Sequence, residues 1–365
     1  MTRIAMVADC HLANHKKFGG EVRAGVNSRA RLILDVLYCA LDKAADIGAD
    51  QFWVLGDLFD GVRPEPQLIG EVQRLFADSQ FDRGHIVLLL GNHEQVSRLA
   101  GDNSLAPLAP VATLCELVGA ENGVRFFPYA PRDWKGTIEA TMTLNKNHNP
   151  PVRLAVAHVG LIEPGTPFMF RDHQDAVDVD WLGEILAEHG VKHFVAGHWH
   201  AYWNGVRSGT HLWQLGALCP TGWDNPGPGY GKMLVVDTGG TEMTTELHEL
   251  PGPRFINLRA DDPGDLVLPA GLTGCQVFVR IVVSAGSMPW ALQWLEQEKV
   301  RGSVEDGEVL IDGQEAEQAA REAAGAARSS ETLQQALDGY VRSMQLPDGV
   351  TRETVLAECR RYLGV

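Results

Sequence analysis

"VAGHWH", Val195 to His200, ends an apolar run on a glycine and then sets two histidines either side of one tryptophan. Alone, such a pair reads as loop chemistry meeting water. Four earlier apolar runs end in the same manner, and together they decide the fold. "RIAMVA" (Arg3 to Ala8) leads into Asp9 and His11, and "QFWVL" (Gln51 to Leu55) into "GDLFD" with Asp57 and Asp60. "HIVLLL" (His85 to Leu90) leads into "GNHE" with Asn92, His93 and Glu94, and "VRLAVA" (Val152 to Ala157) into His158. The fifth run, "HFVA" (His193 to Ala196), carries His198 and His200.

Short, continuously apolar runs of this kind read as strands buried on both faces. Between the first two, Leu32, Val36, Leu37, Leu41, Ala44 and Ile47 recur at helical spacing, which predicts a helix over Ser28 to Ile47 with Ser28 as its cap and Gly48 as its stop. Further helices are predicted at Pro66 to Ala77 and Trp181 to Glu188. Strand, helix, strand order implies a largely parallel α/β sheet with helices on both faces. Such sheets gather their ligands at the carboxyl ends of the strands, so the polar tips are expected to converge on one crevice.

Each tip has an ordinary explanation by itself. Asp-x-His makes a turn, Gly-Asp a helix cap, Asn-His a loop, and a lone His158 a satisfied core histidine. Their joint occurrence after five successive strands argues instead for a metal site. Imidazole nitrogen, carboxylate oxygen and amide oxygen without thiolate suit manganese, iron, zinc or similar divalent ions. A bridging carboxylate can hold two such ions for phosphoryl displacement.

Composition sets the bounds. At 365 residues the chain exceeds one typical domain, and 45% hydrophobic residues can build a sizeable core. No apolar run is long enough to cross a bilayer, and Met1 to Ala8 leads into a strand rather than a leader, so a soluble, unprocessed protein without membrane association is expected. The six cysteines contain no CxxC pair, which fits a reducing cytoplasm. A formal net charge of -16 excludes a broad basic surface and counts against a polyanionic partner unless metal ions or another chain supply the grip.

The pattern changes near Thr210. "HLWQLGAL", "KMLVVD" and "TTELHEL" are short strands expected to be antiparallel and to cover the other side of a sandwich. "PGPRF" (Pro251 to Phe255) looks like a boundary. A small β-α-β unit follows over 251–313, then an alanine-rich connector at 314–330 and a pair of short amphipathic helices within 331–365, which bury little alone and so are expected to dock on something.

The order Asp9-x-His11, Gly56-Asp57, Gly91-Asn92-His93-Glu94, His158 and Gly197-His198-x-His200 resembles the calcineurin-like metallophosphoesterase superfamily over roughly residues 1–250. The resemblance implies an α/β fold of four-layer type, a β-sandwich flanked by helices, with a dinuclear metal site. Carried over position by position, Asp9, His11 and His200 hold one metal, Asn92, His158 and His198 the other, and Asp57 bridges them. His93 then contacts the scissile phosphate, stabilising its charge or protonating the leaving oxygen. Asp60 and Glu94 are candidates for orienting the ligands, or are helix-start carboxylates favoured by the dipole. The family resemblance favours manganese, and the same ligands serve iron, zinc or magnesium.

Within the superfamily, "GDLFDGVRPEP", "PGPRF" before a β-α-β appendage and the C-terminal helices resemble the SbcD and meiotic-recombination DNA exonuclease branch, in a compact layout similar to phage-encoded versions. That implies a DNA substrate and a nuclease subunit of an SbcC-like SMC-type ATPase complex, acting in repair, recombination or end processing, with the helical pair binding the ATPase. It leaves a homodimer open. The competing reading is a phosphatase or small-molecule phosphodiesterase, although "LLL" before "GNHE" lacks the arginine that protein phosphatases place ahead of the glycine. A noncatalytic scaffold is the third class. Cys10 is expected to pack in the opposite layer, and His15, Lys16 and Lys17 to form a solvated loop, with contact to a substrate phosphate as the alternative. Trp223 and Tyr230 read as packing or turn residues, with stacking on a base as the alternative.

Overall fold

Alternation within the apolar runs explains how one strand can be buried twice. In β1 (Arg3–Val7) Ile4 and Met6 face one core and Ala5 and Val7 another. A strand so placed must lie between two apolar layers. The computed structural model describes residues 2–97, 99, 101–129, 133–145, 151–163, 175–220, 222–223, 231–240, 242–270, 272 and 276–312. The chain divides into two compact units. The larger comprises Met1–Leu258, Val267–Arg280 and Trp294–Glu308, and the smaller Arg259–Leu266, Ile281–Gln293 and the chain from Val309, of which 309–312 are described.

The larger unit holds two six-stranded sheets. The first runs β16 (Thr244–Glu249), β15 (Lys232–Asp237), β1, β4 (Gln51–Leu55), β5 (Ile86–Leu89) and β6 (Thr113–Cys115). From β1 to β6 the strands are parallel, while β15 and β16 return antiparallel. The second runs β13 (Trp203–Arg207), β14 (Thr210–Gln214), β12 (His193–Gly197), β9 (Leu154–His158), β8 (Val124–Phe127) and β7 (Gly119–Glu121), parallel from β14 to β8 and antiparallel at both edges. Two short ribbons, β2 (Val22–Arg23) with β3 (Val26–Asn27) and β10 (Gly160–Ile162) with β11 (Ala176–Asp178), lie in the connections.

The sheets face each other across Met6, Trp53, Leu55 and Leu89 from one and Phe126, Val156 and Val195 from the other. On the outer face of the first, α1 (Ser28–Asp46) and α2 (Pro66–Ala77) bury Leu37, Leu41, Leu68 and Phe76 against Val7, Phe52 and Leu88. On the outer face of the second, α3 (Trp134–Asn145) and α4 (Val179–Glu188) bury Ile138, Leu182 and Leu186 against Phe127, Ala157 and Phe194. The result is a helix, sheet, sheet, helix sandwich, the α/β architecture expected from the family resemblance. Each fully buried side chain of this size contributes about 1.5–3 kcal/mol, so the three apolar layers dominate stability.

Several local expectations change. The five polar-tipped strands do not share one sheet: β1, β4 and β5 lie in the first, β9 and β12 in the second. "KMLVVD" and "TTELHEL" do not cover the opposite side either, since they extend the first sheet beside β1, and only the strand at Thr210 joins the second, parallel to β12. The N-cap of α1 is Asn27, whose side-chain oxygen accepts from Ala30 N at 2.8 Å, while Ser28 donates to Gly19 O at 2.9 Å. Asp178 caps α4, which starts at Val179, two residues before the predicted Trp181.

After Pro251, β17 (Arg254–Arg259), β18 (Val277–Val283) and β19 (Asp306–Ile311) form a three-stranded sheet in that order, with α5 (Met288–Arg301) between the last two strands. The β-α-β order read from the sequence thus gains a preceding strand. The connector at 314–330, the helices within 331–365 and Tyr230 lie outside the described residues. Among the described residues no helix is long and apolar enough to cross a membrane.

Candidate metal centre

The carboxyl ends of β1, β4 and β5 in one sheet meet those of β9 and β12 in the other, and every residue singled out for the site lies there. Ligand atoms group as Asp9, His11 and His200; His11, Asp57 and His93; and Asp57, His158 and His198, each set within 4.8 Å. Asn92 joins the last set, its Oδ1 lying 3.0 Å from both His158 Nε2 and His198 Nδ1. Asp57 Oδ2 is 3.2 Å from His158 Nε2 and 3.7 Å from His11 Nε2, so it faces a ligand of each group. His200 Nε2 and His11 Nε2 are 2.8 Å apart. His198 and His200 therefore turn to different groups, and Trp199 between them packs on Gly160, where a Cβ would lie 2.5 Å from the indole.

Local backbone geometry is unusual at these positions. Asp9, His11, Asp57 and His198 have φ of 52, 49, 50 and 98°, a left-handed conformation that costs a non-glycine residue about 1–3 kcal/mol. β1, β4 and β12 each end on a sharp turn that carries these side chains into the crevice. Gly56 lets two loops meet: its φ is +89°, and a Cβ there would lie 2.0 Å from His158 Nδ1.

The donors suit divalent ions. His11 Nδ1 meets Asp60 Oδ1 at 2.8 Å and His158 Nδ1 meets Leu55 O at 2.8 Å, which in a neutral ring fixes the proton on Nδ1 and leaves the Nε2 lone pair toward the cluster. Asp57 Oδ2, Asn92 Oδ1 and the ring nitrogens beside them are thus mostly acceptors crowded around common points, an arrangement that a cation satisfies. Without one, protons play that part. Burial lowers His11, but its hydrogen bond to Asp60 and the charges of Asp57, Asp60 and Asp9 outweigh it and hold the ring at about 9. Burial likewise opposes the charge on His158, but Asp57 and Asp9 and the bond to Leu55 raise it to about 10. His198 and His200 are pushed down to about 3 by burial and by the neighbouring cations, His158 and His11 respectively.

Two further carboxylates support these loops. Glu94 is fully buried and accepts from Gly91 N at 2.9 Å, Phe59 N at 2.9 Å and Asp57 N at 3.1 Å, so one side chain joins the loops that carry Asn92 and Asp57. Burial and the Asp57 charge raise it to about 7, with backbone donors from Phe59 and Gly91 opposing. Asp60 faces three histidines: His11, His93 Nδ1 at 3.6 Å and His15 Nδ1 at 3.8 Å. His93, half-buried, also meets Asp60 O at 3.2 Å through Nδ1 and packs edge-on against His11.

His15 differs from expectation, since its Nε2 meets His11 O at 2.8 Å, whereas Lys16 and Lys17 are exposed. Trp223 is 3% exposed and packs against Phe18 and Phe255. Cys10 lies in the layer between the first sheet and its helices. Tyr129, Asp175 and Gln214 also border the centre and were not anticipated. Tyr129 follows β8, a strand without a polar motif, and Gln214 donates to Gly197 O at 2.8 Å from the interior of β14.

Donors of this kind, arranged about one shared carboxylate, are the equipment of enzymes that hydrolyse phosphoesters with two divalent ions. A model of the calcineurin-like phosphoesterase family matches residues 2–202, and the chain belongs to that family of dinuclear metal-dependent hydrolases. A search of curated proteins returned no significant match. Among solved structures, a putative 5'-nucleotidase from Staphylococcus aureus is similar at 15% identity and a TM-score of 0.42, over 74% of this chain and 56% of that one. A purple acid phosphatase from yellow lupin (Lupinus luteus) seeds is similar at 14% identity and 0.43, over 68% and 51%. An archaeal phosphodiesterase is similar at 12% identity and 0.35, over 68% and 100%. The chain thus spans about half the length of the first two.

Proposed function

We propose that the chain hydrolyses DNA phosphodiesters as the nuclease subunit of an SbcC-like ATPase complex in a reducing cytoplasm. The observation that carries the reading is Asp60. It comes from the SbcD-like "GDLFDGVRPEP" and stands directly behind the site, 2.8 Å from His11 Nδ1 and 3.6 Å from His93 Nδ1. The phrase that resembles this branch therefore contacts both a candidate ligand and the candidate acid, which supports the reading.

Asp9, His11 and His200 would hold one divalent ion and Asn92, His158 and His198 the other, with Asp57 shared. Such ions supply Lewis acidity and lower the pKa of water. The protein's own residues do the rest. Asp60 holds His93 through its backbone oxygen, leaving Nε2 to meet the phosphate. As water oxygen bonds to phosphorus and gives up one proton to solvent, the P–O bond to the leaving oxygen breaks, and His93 stabilises the charge and gives its Nε2 proton to that oxygen, regaining one from solvent. Glu94 and Leu55 O keep the ligand loops and the His158 ring in place.

The net charge of -16 favours the second reading, a phosphatase or small-molecule phosphodiesterase. Under the first, ions at the scissile phosphate and the ATPase supply the attraction that the chain's surface lacks. The two are separated by incubating the chain, alone and with an SbcC-like ATPase, with manganese and end-labelled duplex or single-stranded DNA, beside an aryl phosphodiester and an aryl phosphomonoester. The nuclease reading expects loss of DNA label that a chelator prevents. Turnover of the monoester with intact DNA in both arms replaces it with the phosphatase, and no turnover of any substrate leaves the scaffold. Deleting residues 331–365 is expected to abolish co-purification with the ATPase and to leave metal content unchanged; retained co-purification contradicts that role for the segment.

A further inference from the structure

His11 and His158 are each oriented by an oxygen on the ring nitrogen turned away from the ligand cluster, Asp60 Oδ1 and Leu55 O. His198 differs. Its Nδ1 faces Asn92 Oδ1, and among the described residues no hydrogen-bond partner meets its Nε2. Ligand histidines ordinarily need such an anchor to hold ring orientation and tautomer.

Packing takes its place. The Tyr129 ring lies 6.1 Å from the His198 ring and 6.3 Å from the His158 ring, and those two are 5.1 Å apart. All three distances fall within the range of direct aromatic contacts. Tyr129 is itself fixed at both ends. Its backbone N donates to Leu90 O at 2.8 Å, two residues before Asn92. Its hydroxyl donates to Asp175 Oδ1 at 2.9 Å, and Asp175 O accepts from Gly160 N at 2.9 Å, two residues after His158. Burial, together with the Asp175 charge and hydrogen bond, raises the phenol, which stays a donor. One residue therefore packs on two ligands and ties the segment that carries the third.

We infer that Tyr129, anchored by Asp175, is a positioning residue for the Asn92, His158 and His198 subsite and sets metal affinity there independently of the Asp9, His11 and His200 subsite. The inference rests on the two-ion reading of the centre. It gives the two halves different supports: a charged hydrogen bond behind His11, and an anchored aromatic ring beside His198.

The test is a titration of cobalt(II) into the full-length chain after chelator treatment, following stoichiometry by equilibrium dialysis and ligand geometry by visible absorption. The parent chain is expected to take up two equivalents. Tyr129→Ala should leave one equivalent unchanged and bind the other about 10- to 100-fold more weakly, the usual cost of removing support behind a ligand, with an altered absorption band for that equivalent. Tyr129→Phe and Asp175→Asn, which keep the ring, should weaken only that equivalent and by less; they carry the test if the alanine variant fails to fold. Unchanged binding of both equivalents in the folded variants, or equal weakening of both, overturns the inference. A parent chain that binds fewer than two equivalents overturns the two-ion reading itself, and is seen before any variant is compared.

Discussion

Asp57→Ala is expected to lower phosphodiester turnover by about a thousandfold or more, the scale of losing roughly 4 kcal/mol of transition-state stabilisation. The size follows from what the carboxylate touches. It is 1% exposed, faces His158 Nε2 at 3.2 Å and His11 Nε2 at 3.7 Å through Oδ2, and accepts from His93 N at 3.0 Å through Oδ1. One truncation therefore disturbs both ligand groups and the backbone of the candidate acid. Burial opposes its charge, but the His158 imidazolium and its hydrogen bond, with His11 and His93, pull it well below the usual carboxylate range. Asp57→Asn keeps the shape without the charge and should lose nearly as much. Steady-state turnover of an aryl phosphodiester, with circular dichroism to establish folding, measures both; a folded variant retaining a tenth of the parent rate contradicts the bridging role.

Metal removal should have a comparably large effect on stability. At a concentration one hundred times its Kd, one ion bound only by the native state contributes about 2.7 kcal/mol. One kcal/mol shifts the melting temperature by about 2–4 °C in a chain of 150–250 residues and by less in one of 365, so manganese should raise it by about 5 °C. Asp9→Asn separates this gain from the cost of the empty centre. Burial pushes Asp9 up to about 7, partly offset by His158, while the Asp57 charge raises it further. At pH 8, above both its ordinary and its shifted value, the ionised form destabilises the metal-free fold. Asparagine removes that charge and tolerates the left-handed φ of 52°. The metal-free variant should therefore melt at or above the metal-free parent, yet gain less from manganese, keeping only the increment of the Asn92, His158 and His198 subsite. Differential scanning fluorimetry at pH 8, with and without manganese, reads both; a variant that melts lower without metal and gains the full increment with it contradicts the argument.

The site was legible because its chemistry is local. Asp9 with His11, Asn92 with His93, and His198 with His200 are neighbours in sequence, and each follows an apolar strand. What strand order could not convey was their division between two sheets. A strand buried on both faces has the same apolar run in either sheet, so nothing in "VRLAVA" distinguishes β9 from a neighbour of β1. The same limit misplaced β15, whose antiparallel return beside β1 depends on pairing across more than two hundred residues. Tyr129 and Asp175 carried no signal, since their roles arise only when the ends of β5, β8 and β9 converge. His15 was read as part of a solvated loop, whereas its bond to His11 O is set by the turn that carries the candidate ligands.

The most direct measurement is a titration of manganese into the chelator-treated chain with diester turnover followed at each addition. The account predicts negligible turnover without metal, a rise that follows occupation of the second equivalent, and saturation at two equivalents, with no rise for Asp57→Ala. Turnover that persists without metal, saturates before two equivalents are bound, or survives in Asp57→Ala would contradict a paired metal centre built on that carboxylate.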